Sequence, residues 1–236
     1  MSIQLWKATA PSGRDFRTGT IDYAAALTSG KVLDHPNSHK IVPNKPSTYL
    51  SVSTEPAETL IGGLWPCRLF RVEPVGDVLA GLKVSPHKRA VLALRVVEEV
   101  EGWRALGPNG REVAAVIARA ALLTTDEISR VVAAGTAAGT AAGTVAGTAA
   151  GTAVRAATWA AAGTAAGTAA EAAPRSAASD AAGYAAWDGG GSAVKAAARA
   201  AVVRDLITPE QYDLLAGPWE SVMGPMLSTP TVEGEQ

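Results

Sequence analysis

The sequence predicts an α+β protein. A small mixed α/β N-terminal domain is followed by an alanine-rich all-helical repeat region with a C-terminal capping helix. Three observations carry this. Composition changes sharply near Arg130: most large apolar residues precede it, and Ala133 to Val202 is low in complexity. Before Arg130, alternating and helical apolar spacings stand side by side. After it, Gly135, Gly139, Gly143, Gly147 and Gly151 recur every fourth residue.

The first part resolves into short elements. Ile3 to Ala8 reads as a strand, and Pro11-Ser12-Gly13 as a turn. Asp22 to Leu27 gives one or two helical turns. Asp34-His35-Pro36-Asn37-Ser38-His39, with Pro43 and Pro46, is a loop by composition. Tyr49 to Ser53 alternates large residues with small or polar ones, as a half-buried strand does. Glu55 to Leu60 opens a short helix with Thr54 as its cap and Pro56 in its first turn, and Gly62-Gly63 ends it. Cys67 to Val72 and Ala90 to Val97 are strands. Glu112 to Leu123 is helical, with Val113, Val116, Ile117 and Ala120 on one face, and Thr125-Asp126-Glu127 starts another helix.

Each repeat glycine is followed by threonine, and the phase continues through Trp159, Gly163, Gly167, Gly183 and Trp187 as Ala-Ala-x-y. Alanine favours helix, but four residues turn an α-helix by ~400°, so each stripe drifts ~40° per tetrad. Several shorter helices suit the period better than one long one. Pro174 and Gly189-Gly190-Gly191 are natural breaks, giving segments near 133–173, 177–188 and 192–205. Glycine and threonine weaken such helices by ~1.5 kcal/mol per tetrad relative to polyalanine. Close packing against another helix or another copy of the chain would offset this. The glycine ladder has the spacing of a membrane helix-packing face. Residues 131–154 carry no charge, but Ala, Gly and Thr insert poorly, so membrane insertion is disfavoured.

The tail spells out one more helix. Thr208 caps it, Pro209 takes its first position, Leu214 and Leu215 face the core, and Gly217-Pro218 ends it. The expected plan is an α+β domain over 1–105, connecting helices over 106–130, the repeat over 131–203, a capping helix and turn over 204–226, and a loose tail over 227–236.

Apolar residues are 47% of the 236-residue chain but aromatics only 5%, so alanine makes the core smaller than its apolar fraction implies. A net charge of -1 excludes a strongly basic nucleic-acid footprint. The single Cys67 excludes an internal disulfide and a Cys-rich zinc site. No apolar run of signal-peptide length follows the start and no lipidation motif is present, so a cytoplasmic protein is expected. Asp34, His35 and His39 place two imidazoles near a carboxylate, but without further paired ligands the loop is read as solvated and no metal is expected. Gly62-Gly63 lacks the Lys-Ser/Thr of a phosphate loop.

Leu5-Trp6-Lys7-Ala8-Thr9 with its Gly/Arg turn, the Ala-Ala-x-y array, and Asp205-Leu206-Ile207 with Gly217-Pro218-Trp219 together resemble an uncharacterised family of actinobacteria and their bacteriophages. The resemblance implies a phage or mobile-element accessory protein in the host cytoplasm. It implies no mechanism; the leading expectation, reached apart from it, is a protein without enzymatic chemistry that acts through a protein partner or through self-association of its alanine-rich helices.

A rival reading rests on three other places. Lys7 lies on the first strand, Ser51-Val52-Ser53-Thr54 ends the middle strand, and Glu99-Val100-Glu101 follows the best strand. This pattern loosely resembles an ADP-ribosyltransferase toxin fold. The resemblance implies NAD as cofactor, with Lys7 on its pyrophosphate and the Ser53 hydroxyl orienting the first strand. Of Glu99 and Glu101, one would stabilise an oxocarbenium-like state and the other position the nucleophile. Lys7 departs from the usual Arg or His and lacks their planar grip. Glu98, Glu99 and Glu101 also read as a solvated strand end.

Overall fold

The computed structural model describes residues 4–144 and 194–226, and their secondary structure mixes strands and helices. These residues divide into two units, 4–110 and 111–144 with 194–226.

The first unit is a small antiparallel barrel. Its strands are β1 (Leu5–Thr9), β2 (Val32–Asp34), β3 (Leu50–Ser53), β4 (Arg68–Leu79) and β5 (Lys88–Val100). The order is β2-β5-β3-β1-β4, and β4 also pairs with β5, which closes the ring. Closure leaves one face of each strand inside. Leu5, Leu50, Val52, Phe70, Val72, Val91, Leu94 and Val96 pack there. Helix α1 (Tyr23–Ser29) adds Tyr23 and Ala26 to the same core, and the Tyr23 and Phe70 rings stack at 6.4 Å. Asp22 caps α1 by accepting from the Ala25 amide, and Gly30 ends it at φ 66°.

β4 and β5 are the longest strands, and both outrun their predicted lengths. β4 passes beyond the expected end at Val72 and through Pro74 and Gly76. The sheet absorbs them as an irregularity between Val75 and Val78, with Gly76 at φ 85°. β1 covers only Arg68–Val72, so Pro74 sits where β4 has a free edge. The three-residue β2 was not foreseen; it exists through pairing Val32, Leu33 and Asp34 with Arg95, Leu94 and Ala93. The turn after β3 is a 3-10 helix, Pro56–Glu58, and its N-cap is Glu55, not Thr54. The Thr54 hydroxyl sits instead 3.4 Å from the His87 carbonyl.

In the second unit, helix α2 (Gly110–Ala120) buries Val113, Val116, Ile117 and Ala120, the face its spacing predicts. A capping box then starts helix α3 (Thr125–Thr144): the Thr124 hydroxyl accepts from the Glu127 amide, and Glu127 accepts from the Thr124 amide at 2.8 Å. Arg119 reaches across the turn to Glu127. Helix α3 contains Gly135, Gly139 and Gly143, whereas the remaining repeat glycines, Trp159, Pro174, Trp187 and Gly189 to Gly191 lie outside the described residues. Residues 194–202 are helical and bury Val194, Ala197, Ala198, Ala200, Ala201 and Val202.

The last helix, α4 (Pro209–Met223), begins with the Thr208 capping box and packs against α3. The expected stop at Gly217-Pro218 is not one. The helix runs through Pro218 to Gly224, whose φ of 82° ends it. Pro218 lacks only its own amide, and burial of Leu215, Ala216, Pro218 and Trp219 holds the following turn in place.

Candidate functional site

The first unit contains a cavity of about 700 Å³. That is the size of a small-ligand site. It forms where β1 and β3 part: the two strands pair only at Trp6↔Ser53. The Ser51 carbonyl, outside that pairing, accepts instead from the Lys7 amine at 3.1 Å. The cavity is walled by Lys7 and Ala8 of β1, Leu50 and Ser51 of β3, Tyr23 of α1, and Lys88 of β5. The loop around Asp15 and the His35–Asn37 turn complete it.

Two amines define its electrostatics. Lys88 is only 5% exposed, and its Nζ donates to the Thr59 carbonyl at 3.4 Å. Burial, reinforced by the Lys7 charge and opposed by Glu58, brings its pKa down to about 7. Burial likewise lowers Lys7 to about 8, against the pull of Asp15. The Lys7 amine also lies 5.4 Å from the Tyr23 ring centre. Among the described residues, neither lysine has a carboxylate within ion-pair distance. Glu58 is buried and accepts from the Ser85 hydroxyl at 3.2 Å.

Asp15 is the one carboxylate on the cavity wall among the described residues. Burial pushes its carboxyl up, but the Ile21 and Thr18 amides, the Thr18 hydroxyl and the Lys7 charge together hold it below its ordinary value. Its oxygens accept from the Thr18 amide at 2.7 Å and the Ile21 amide at 2.9 Å. Tyr23 is fully buried, and its hydroxyl has no hydrogen-bond partner among the described residues. Burial and the Asp15 charge raise its pKa, so it stays protonated. Gly13 supports this loop at φ 83°, where a Cβ would stand 2.5 Å from that of Ala24.

Of Lys7, Ser53, Glu99 and Glu101, only Lys7 lines the cavity. Ser53 is buried at the end of β3, its hydroxyl 3.4 Å from the His87 carbonyl. Glu99 lies on β5, held by two bonds from Arg68 at 2.7 and 2.5 Å, and Arg68 lowers its pKa. Glu101 lies beyond β5 and pairs with Arg104 at 3.0 Å. The structure does not gather these four around one cavity.

Sequence reading missed Lys88, Asp15 and Tyr23. Lys88 follows Ser85-Pro86-His87 and reads as a solvated strand start. Asp15 reads as turn chemistry, although Asp15-x-x-Thr18 is a detectable side-chain turn. His35, read with the loop as solvated, lines the cavity and accepts from the Asn37 amide at Nδ1. Among the described residues no group of three His, Cys, Asp or Glu side chains is placed to hold a metal, and no helix is long and apolar enough to cross a membrane.

No protein-family model, curated protein or solved structure matches this chain.

Proposed function

We propose that the N-terminal unit binds a small molecule carrying a carboxylate or phosphate, with the anion held between Lys7 and Lys88. One observation carries this reading: two lysines with desolvated amines line one cavity, with no ion pair to a carboxylate for either among the described residues. An uncompensated buried charge is unfavourable, and an entering anion supplies the missing partner. Tyr23 and the loop amides around Asp15 restrict which molecules fit. The chain then acts as a ligand-responsive accessory protein, and its helical part serves for attachment to a partner or to itself.

The test is calorimetry and thermal unfolding of the full chain at pH 6.5 with pyrophosphate, NAD and small carboxylates. At least one anion is expected to raise the melting temperature, and Lys88→Met to remove the effect. No shift with any anion, or a shift that Lys7→Met and Lys88→Met both leave unchanged, overturns the reading. NAD turnover is followed in the same samples. Turnover lost in Glu101→Gln would favour the transferase reading.

A specific surface observation favours self-association as a second role. Leu122 is 73% exposed between α2 and α3, and Val132 on α3 is 51% exposed. Light scattering is expected to give a mass above 24.0 kDa that falls in Leu122→Glu. A monomer in both proteins removes this role.

A further inference from the structure

We infer that Lys88 is a covalent anchor: its amine condenses with the carbonyl carbon of an aldehyde or ketone whose carboxylate or phosphate is held by Lys7. This rests on the anion-binding reading above and adds a reaction to it.

Four features of the cavity point the same way. Lys88 lies on the cavity wall, shielded from bulk water, and its nitrogen is held by a neutral acceptor, the Thr59 carbonyl. An uncharged amine donates one N–H to that carbonyl and keeps its lone pair for the cavity. Lys7 is the second cation, oriented by the Ser51 carbonyl and the Tyr23 ring, and Asp15 favours its charged form. The two lysines thereby divide the work, one as anion holder and one as nucleophile. A buried lysine beside another cation is an arrangement that activates an amine. Finally, Tyr23 lines the cavity, and its buried hydroxyl has no hydrogen-bond partner among the described residues.

Charge at Lys88 is set by its burial on β5 and by two groups on other elements, Lys7 on β1 and Glu58 on the 3-10 turn. The outcome leaves about half of Lys88 as free amine at pH 7. An exposed lysine holds ~0.1% or less in that form.

The step balances without an oxidant or reductant. The Lys88 lone pair forms the C–N bond while the carbonyl π pair moves to oxygen. One amine proton passes to that oxygen, giving a carbinolamine. Loss of water then leaves the imine, and hydration reverses it.

The experiment uses the full chain with glyoxylate, an aldehyde bearing a carboxylate, and traps the imine with cyanoborohydride. Peptide mass spectrometry locates the adduct. Glycolate, which has the carboxylate but no carbonyl, serves as competitor and as a separate ligand in thermal unfolding. At pH 7 the Lys88 peptide is expected to carry at least about tenfold more adduct than that of exposed Lys31, since an exposed lysine holds so little free amine. Glycolate should suppress the Lys88 adduct alone. Labelling of Lys88 in the wild type should be half-maximal near pH 7. Lys88→Arg should lose the adduct and retain the glycolate shift. Uniform labelling, or labelling of Lys7 instead, overturns the covalent anchor. If glycolate still raises the melting temperature in that case, anion binding stands by itself. If neither selective labelling nor a glycolate shift occurs, both fall.

Discussion

A lysine whose amine is desolvated changes the stability of the protein around it. Lys7 and Lys88 hold their protons less tightly folded than unfolded. Between pH 7 and pH 10 the unfolded chain therefore binds more protons, and stability rises with pH through that window. Each lysine contributes up to about 1.4 kcal/mol per pH unit. Tyr23 works the other way above its ordinary value near 10, because its folded pKa is raised, so the rise ends there. Lys88→Met should be more stable than the wild type at pH 6 and show a shallower rise to pH 9.5 in urea unfolding. Equal slopes for the two proteins would mean that Lys88 is not desolvated. Anion binding has the opposite pH dependence and should weaken as pH rises past 8. Gly13→Ala tests the same wall sterically. A left-handed φ and a 2.5 Å approach to Ala24 should lower stability by ~2 kcal/mol or more and loosen the Asp15 loop. Lys7 was singled out at this scale only through the loose transferase resemblance, as the cation on the first strand. Lys88 was not, because its burial comes from Thr59, Glu58 and Lys7, none of them near it in sequence.

Elements whose signals are local agreed best with the structure. The face of α2 and the cap at Thr208 follow from neighbours within a turn or two. Replacing Thr208 with Ala removes the acceptor of the Gln211 amide and should lower the stability of α4 by ~1 kcal/mol, read by hydrogen exchange over Pro209–Met223. An unchanged exchange rate would mean that packing alone fixes the start of that helix. Elements that exist by pairing were not visible. β2 has three residues and no pattern of its own, and the second half of β4 is held by β5 despite Pro74 and Gly76. Pro218 fails as a stop for the same reason, because tertiary burial outweighs a local preference. The site inherits this limit, since it lies at a gap between strands that only the closed sheet creates.

At the scale of the whole molecule, each unit carries its own buried core, the barrel interior in one and the valine, alanine and tryptophan contacts of the helices in the other. Every described residue of the cavity wall belongs to the first unit. A ligand there stabilises the state that binds it, by about 2.7 kcal/mol at a hundred times its dissociation constant. Local opening is governed by the cooperative unit that a residue belongs to. An anion that raises the melting temperature should therefore slow hydrogen exchange in β1, β3, β5 and α1 of the full chain. Exchange in Pro209–Met223 should stay at its unliganded rate. Equal slowing in α4 would show that the two units open as one cooperative body and that the cavity's occupancy is communicated to the helices. Slowing in α4 alone would move the anion site out of the barrel altogether.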